Sequence, residues 1–357
     1  MTANSRKLAE TIRIGDRPVG RGHPAFIIAE VGVNHNGDLD TALKMVDAIA
    51  QAGADCVKFQ TFSADEFVNN PNDTYEYVSQ GKLVRESMLE MFRRLELKRE
   101  AFATLFARAR ARGLIPLSTP TDRPAVDLLE QIGAAAYKVG SDDLVYTQFL
   151  DYVARKARPM IISTGMAAAF DVERAVRTIL DAGNDQLVIL HCVSLYPTPE
   201  EEVNLRKIET LRGQYGDLIG FSDHSWGITA ALGAIALGAC VIEKHFTLDR
   251  DMPGPDHRFS ADLAELKLLV TEVRRLESNL GSGRFRLSPA EEEMAALAHR
   301  SIVLDRAVAA GEEITADHLA YRRPGTGLMP YESHRIIGRR ARSNLAVGTM
   351  LDLSMVD

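Results

Sequence analysis

Cysteine is scarce: the chain carries three, Cys56, Cys192 and Cys240, among 357 residues. Each lies in an apolar, strand-like run, and no paired-cysteine motif is present. That excludes a disulfide framework and a cysteine-based zinc site, and it fits a reducing compartment. Aromatic residues make up only 6%, with a single tryptophan. Lysine plus arginine number 42 against 49 for aspartate plus glutamate, a net charge of −7. With no basic stretch interleaved with aromatics, neither nucleic acid nor an anionic membrane is an expected partner. An anionic substrate would need a local positive site. No apolar run reaches ~18 residues without a charge or a helix breaker, which excludes a membrane-spanning helix. The first residues, MTANSRKLAETIRIG, lack the apolar core of a secretory leader. A cytoplasmic location is the expectation. There is no Walker loop, no GxGxxG after a strand, and no GxSxG around Ser163-Thr164-Gly165. No organic cofactor is therefore expected.

What the chain does have is repetition of type. Hydrophobic residues reach 46%, enough for a full core. Residues 11–24 alternate apolar and polar around glycine turns and predict a β-hairpin, placed to plug the bottom of any barrel that follows. Eight strand-like runs come next, at 26–31, 56–62, 115–119, 136–140, 160–164, 187–193, 218–221 and 240–246. Helical patterns follow them, among them 39–52, 124–132, 147–157, 172–182, 229–237 and 261–280, and several end at a glycine. Eight strands alternating with helices predict an α/β (β/α)8 TIM barrel over residues 1–280, with an open doubly wound sheet as the alternative. Residues 63–83 read as a long irregular loop, a lid or binding loop on the ligand face. Residues 281–299 read as a linker. Residues 300–357 carry short strand-like pieces (301–304, 346–351) and an RRPGTG turn at 322–327, predicting a small β-rich domain that docks on something.

The chemistry gathers where strands end, the ligand face of parallel α/β folds. Ser222-Asp223-His224 and Glu243-Lys244-His245 end the seventh and eighth runs, so the two histidines can meet. Paired with nearby carboxylates, two neutral imidazoles suit a divalent metal. Glu30, Lys58, Gln60, Ser118, Thr119, Lys138, Ser141, Ser163, His191, Ser194 and Tyr196 lie on or just after earlier strands. Lysines inside apolar runs are costly unless paired. Lys58 and Lys138 therefore meet either buried carboxylates such as Glu30 and Glu243, or an anionic ligand bearing phosphate and carboxylate.

Six segments carry a resemblance: AEVGVNHNGDLDTALKMVDAIAQAGADCVKFQTF, LSTPTDRPAVDLLEQIGAAAYKVGS, IISTGMA, HCVSLYPTP, GFSDHSWG and EKHFTLDRDMPGPDH. Together they resemble the sialic acid synthase family, which spans N-acetylneuraminate synthases and their legionaminic and pseudaminic acid relatives. The tail, RSIVLDRAVAAGEEITADHLAYRRPGTG, resembles that family's C-terminal antifreeze-like (SAF) domain. The resemblance implies a TIM barrel whose small domain is swapped onto the partner's site in a homodimer. It implies condensation of phosphoenolpyruvate with an N-acyl hexosamine, of N-acetylmannosamine type, giving a nonulosonic acid and phosphate, with Mn2+ or Mg2+ required. A di-N-acetylated hexose leading to legionaminate or pseudaminate is the alternative, and an aldose the more distant one. By motif, His224 and His245 match metal ligands. Lys58, Thr119, Lys138, Ser141, Ser163, Ser194 and Ser222 match the phosphoenolpyruvate side. Glu30, Gln60, Tyr196 and Asp256 match the sugar side, with Arg323 supplied by the neighbouring subunit. Glu30, Glu243 and Lys58 are the expected catalytic groups, Glu243 positioning a water. Three departures stand out. Ser194 occupies a position where members often have asparagine, residues 140–143 read GSDD rather than GSGE, and Leu297 lies near where some members carry an aromatic. These differences touch the sugar side more than the phosphoenolpyruvate side.

Overall fold

In the computed structural model, residues 7–357 are described. The chain divides into one unit ending at Gly281 and a second, Ser282–Asp357.

The first unit opens with the hairpin β1 (Thr11–Ile14) and β2 (Arg17–Gly20), paired antiparallel. Eight parallel strands then form the barrel: β3 (Phe26–Gly32), β4 (Cys56–Thr61), β7 (Ile115–Pro120), β8 (Tyr137–Val139), β9 (Met160–Ser163), β10 (Leu187–Cys192), β11 (Ile219–Asp223) and β12 (Val241–His245). Between β4 and β7 lies a second hairpin, β5 (Thr74–Ser79) with β6 (Lys82–Ser87). The ladder runs β7-β4-β3-β12-β11-β10-β9-β8. Its two ends, β7 and β8, are neighbours without a registered ladder between them, so the barrel is nearly closed. Helices follow the strands with ordinary caps. The helix Leu39–Ala52 starts at Asp38, whose carboxylate accepts from the Thr41 amide at 2.8 Å, and stops at Gly53 in the left-handed region.

Period-two alternation along each strand sorts side chains into two cores. Ile27, Ala29, Val57, Phe59, Ile162 and Ile189 face the helices. Phe26, Ile28, Cys56, Ile115, Leu117, Ile161, Val188, Leu190 and Val241 fill the lower barrel together with Ile12, Ile14 and Val19 of the first hairpin. The hairpin thus plugs the barrel's N-terminal end. Gly15 at its turn has φ 61° and approaches Ile115 so closely that an added Cβ would lie 3.2 Å from Ile115 Cδ1. Ile14 is fully buried there. Ile14→Ala should therefore cost about 2–5 kcal/mol, the range for a large-to-small core substitution, read as a shift in the urea midpoint.

Two sequence readings are corrected. Residues 63–83 are not an irregular loop: a short helix, Ala64–Phe67, precedes the β5–β6 hairpin, whose Gln80-Gly81 turn has φ 50° and 73°. The alternation of TYEYVS and a two-residue turn ending in glycine is the signal for it. The stretch 281–299 is not simply a linker, since Pro289–Ala298 is a helix. Ser288 caps it and Glu291 reaches back to the Ser288 amide, a capping box with proline at the first turn.

The second unit pairs β13 (Ser301–Leu304) with β14 (Leu319–Arg322) around a small core that includes Ile302, Leu304, Val308, Ile314, Ile336 and Val356. The run 346–351 makes an isolated bridge, Val303 with Met350, rather than a strand. Arg323 follows β14 and is exposed, and Leu297 on the Pro289–Ala298 helix is exposed too.

Candidate active site

Above the apolar layer, the next inward positions are polar or charged. Glu30, Lys58, Thr119, Lys138, Ser163, Cys192, Ser222 and Glu243 are each at most 8% exposed. They belong to eight different strands, β3, β4, β7, β8, β9, β10, β11 and β12. β8 and β12 have three strands between them in the ladder, yet Lys138 Nζ lies 3.8 Å from Glu243 Oε1. Such a contact is made only across the barrel's interior.

Two lysines and two glutamates dominate this layer. Lys58 Nζ is 2.6 Å from Glu30 Oε2 and 3.5 Å from Glu243 Oε2, and it donates to Thr119 Oγ1 at 3.1 Å. Lys138 Nζ donates to Ser163 Oγ at 2.7 Å and to the Val139 carbonyl at 3.1 Å. Ser222 Oγ donates to Glu243 Oε1 at 2.8 Å. Burial works against the charge on Glu243, but Lys138 and Lys58 outweigh it and hold the carboxyl below its ordinary range. Glu30 is pushed up, by burial first and by the Glu243 charge, with Lys58 opposing. For Lys58, burial is overcome by Glu243 and Glu30, which raise it; for Lys138, burial prevails and lowers it. Glu243 is the counter-charge that both lysines share.

A bulge shapes the rim. The β3–β4 register shifts between Glu30 and Gly32, and Gly32 has φ 53°. A Cβ there would lie 3.3 Å from Glu30 Oε1 and 3.4 Å from Gln60 Nε2. The bare backbone leaves room for Gln60 Nε2 to donate to Glu30 Oε1 at 3.2 Å. On the far side Gly165 does similar work. Its amide donates to Ser141 Oγ at 3.0 Å, and an added Cβ would lie 2.2 Å from Ser194 Oγ.

The two histidines meet as their strand ends suggested. Their ring centroids are 5.3 Å apart. Tyr196 lies 4.3 Å from His224 and Phe259 5.1 Å from His245, centroid to centroid, and so wall the pair. His224 Nδ1 sits 2.8 Å from the Val193 carbonyl oxygen. That bond needs the proton on Nδ1 and assigns the lone pair of the neutral ring to Nε2. Burial lowers His224, but Cys192 and the Val193 carbonyl raise it more. His245 is held well below its ordinary range, by burial first and then by His224 and Lys58. Its Nδ1 makes no hydrogen bond and faces Asp256 Oδ2 at 3.7 Å. Burial pushes the Asp256 carboxyl up to about 6, with His224 opposing.

Two imidazoles with the Asp256 carboxylate nearby suit a divalent cation. A neutral His245 and a His224 whose Nε2 frees its lone pair on losing a proton are the required forms. Among the described residues no group of three or more His, Cys, Asp or Glu side chains forms a cage. His224 and His245 are the two side chains that would hold such an ion.

The structure brings together Glu30, Lys58, Gln60, Thr119, Lys138, Ser141, Ser163, Ser194, Ser222, Tyr196, His224, Glu243, His245 and Asp256 at one end of the barrel. Arg323 belongs to the second unit. Two residues grouped with the strand ends face away instead. Ser118 Oγ is 2.7 Å from Thr61 Oγ1, and His191 Nε2 is 2.7 Å from the Val203 carbonyl oxygen, with its ring tilted against Phe221. Cys192 and Phe259 were missed. Cys192 takes the inward place next to His191, with its thiol 3.5 Å from Ser141 Oγ.

A charged layer at the C-terminal mouth of a parallel eight-stranded barrel defines a (β/α)8-barrel enzyme. Residues 45–285 match the NeuB family and residues 299–357 the SAF domain. The chain belongs to the NeuB family. It is 41% identical to the N,N'-diacetyllegionaminic acid synthase of Legionella pneumophila, over 94% of this chain and 96% of that one. It is 33% identical to the pseudaminic acid synthase of Campylobacter jejuni, over 91% and 95%. A crystal structure of an N-acetylneuraminic acid (sialic acid) synthetase from Leptospira borgpetersenii, in complex with citrate, superposes with a TM-score of 0.73 at 35% identity, covering 81% of this chain and 96% of that one. Among the described residues no helix is long and apolar enough to cross a membrane.

Proposed function

We propose that this protein condenses phosphoenolpyruvate with an N-acyl hexosamine of N-acetylmannosamine type to give a nonulosonic acid and inorganic phosphate. The observation that carries the reading is the interior layer in which Lys58 and Lys138 share Glu243 below a pair of histidines. A site built for a neutral ligand gains nothing from two buried ammonium groups, which cost free energy on burial. A small ligand bearing phosphate and carboxylate recovers that cost.

The residues divide the work. Lys58 with Thr119, and Lys138 with Ser163, hold the two anionic ends of phosphoenolpyruvate. Ser141, Ser194 and Ser222 surround them with further hydroxyl donors, and the Gly165 amide lies among these groups. Glu30, Gln60, Tyr196 and Asp256 face the sugar in its open-chain form. His224 and His245 would hold a divalent cation, Mn2+ or Mg2+, which when bound polarises the aldehyde oxygen. Carbon 3 of phosphoenolpyruvate then attacks the aldehyde carbon, and the oxygen takes a proton as the new C–C bond forms. The positive centre left at carbon 2 is captured by water, which Glu243, ionised and facing the cluster, orients; the two protons this water gives up end on the new hydroxyl and on the departing phosphate. The tetrahedral intermediate collapses with cleavage of the carbon–oxygen bond to phosphate. The protein contributes positioning and pre-set charge throughout.

The 41% identity to a diacetyllegionaminic acid synthase supports a second reading, in which the acceptor is a di-N-acetylated hexose. One experiment tests both. Phosphate release is followed with phosphoenolpyruvate, Mn2+ or Mg2+, and each of a panel of mono- and di-N-acylated hexosamines and simple aldoses, with mass analysis of the product. Release with a hexosamine, giving a product heavier than that sugar by a pyruvate unit, supports the reading. Release with no hexosamine, or fastest with an aldose, overturns it.

We further propose a homodimer in which the exposed Arg323 of the second unit reaches the partner's sugar pocket. Arg323→Ala should then raise the sugar KM by about 10–100-fold, the loss of a charge-assisted hydrogen bond of about 1.5–3 kcal/mol, and leave the phosphoenolpyruvate KM alone. An unchanged sugar KM would sink that role.

A further inference from the structure

We propose that the buried Asp223–Lys244 ion pair is a positioning device that fixes the spacing of His224 and His245. The inference rests on the two-histidine metal reading above and gives it a mechanical basis.

Asp223 and Lys244 are register partners on the adjacent strands β11 and β12. Each immediately precedes one of the two histidines. Alternation therefore turns them away from Ser222, Glu243, His224 and His245, onto the outer side of the barrel wall. Both are 1% exposed. Lys244 Nζ is 2.9 Å from Asp223 Oδ2 and also donates to the Ser225 carbonyl at 2.8 Å. Asp223 Oδ1 accepts from the Ser225 amide at 2.9 Å and from Ser225 Oγ at 2.6 Å. Every bond in this cluster ties the end of β11, or the turn just beyond His224, to itself or to β12. The backbone is anchored on either side as well. The His224 carbonyl accepts from the Thr198 amide at 3.0 Å and the His245 carbonyl from the Ala261 amide at 2.8 Å.

Stability alone is a poor reason for such a pair. An apolar pair of like volume usually does as well or better, and the best-attested use of buried ion pairs is to select one register. Here the register selected is the one that sets two imidazoles side by side. The cluster uses both Asp223 oxygens and joins two strands at the point where they present their ligands. It touches neither the lysines nor the serines of the anion layer. Its loss should therefore reach the histidines and spare the other half of the site.

The test measures Mn2+ binding directly, by the loss of the free-ion electron paramagnetic resonance signal, in the full chain without substrates. The variants are Asp223→Asn, Ser225→Ala, and the apolar double variant Asp223→Leu with Lys244→Met. Unfolding midpoints and phosphoenolpyruvate binding by calorimetry are measured alongside. Asp223→Asn and the double variant are expected to weaken Mn2+ by about 10–100-fold, the range for outer-shell substitutions at metal sites, with phosphoenolpyruvate affinity within about twofold. The double variant should do so while recovering the stability that Asp223→Asn loses. Ser225→Ala keeps both charges and covers the case in which Asp223→Asn does not fold; it should weaken Mn2+ by about threefold, one hydrogen bond's worth. Folded variants that bind Mn2+ as tightly as wild type overturn the inference and leave the metal reading standing. Wild type that binds no Mn2+ overturns both.

Discussion

Replacing His245 by alanine is expected to lower kcat/KM by at least about 10³-fold, the equivalent of about 4 kcal/mol of transition-state stabilisation. His224→Ala should do the same. The reason is that, in the proposed function, the cation rests on these two imidazoles. Among the described residues no third His, Cys, Asp or Glu converges with the two imidazoles into a cage, so losing one would leave the cation a single imidazole. The fold should survive, because the lower barrel core and its hairpin plug lie in a different layer from these rings. Two measurements check the argument. Chelator treatment of the wild type should reproduce the loss, with activity restored by Mn2+ or Mg2+. The same addition should not rescue either variant at concentrations that saturate the wild type. Wild-type turnover in His245→Ala, or wild-type activity that resists exhaustive chelation, would remove the metal from the reaction.

Glu243→Gln is the second large effect, and its signature is a split between kcat and KM. Wild type balances Lys58 and Lys138 against Glu30 and Glu243 within one buried layer. Glutamine keeps the shape and still accepts from Ser222, but it removes the counter-charge that both lysines share. The free protein should lose about 3–5 kcal/mol, the cost of breaking a buried pair from one side. An anionic ligand then meets a more positive pocket, so the KM for phosphoenolpyruvate should stay equal or fall. kcat should drop by about 10²–10³-fold, because the charged group that orients the water and faces the positive centre is gone. Phosphoenolpyruvate should also restore more thermal stability to this variant than to wild type, since it supplies the missing charge. A raised KM with kcat intact would mean that Glu243 only holds the lysines in place.

Much of the site was legible because it breaks the rules for the strands that carry it. Parallel barrel strands are apolar on both faces, so Lys58 in VKFQ and Lys138 in YKVG stand out. The reading left open whether such lysines pair with Glu30 and Glu243 or with an anion. The first alternative describes the free protein, and the second belongs to the proposed reaction. The misses came from the opposite situation. In LVILHC every position is buried, so nothing in composition says whether His191 or Cys192 faces the interior. Histidine draws the eye, yet it is the one turned toward the helices. Ser118 and Thr119 pose the same problem. Capping chemistry at Ser288 and the two-residue turn at Gln80-Gly81 were present in the sequence but outweighed by the glycine, serine and proline around them.

The sequence by itself determined the architecture. Eight apolar runs, each followed by an amphipathic stretch and several closed by glycine, leave few folds that bury all of those faces at once. It also determined that polar clusters end the strands, and that Ser222–His224 and Glu243–His245 lie on neighbouring ones. Tertiary structure alone decided which member of each polar pair points inward. Alternation has period two, so a one-residue shift in where a strand begins exchanges its faces. That register comes from ladder pairing around the whole ring, from the bulge at Glu30 and Gly32, and from the Asp223–Lys244 pair on the outer wall. Lys138 meets Glu243 for the same reason: 105 residues of chain separate them, and only the curvature of a nearly closed barrel brings their strands face to face.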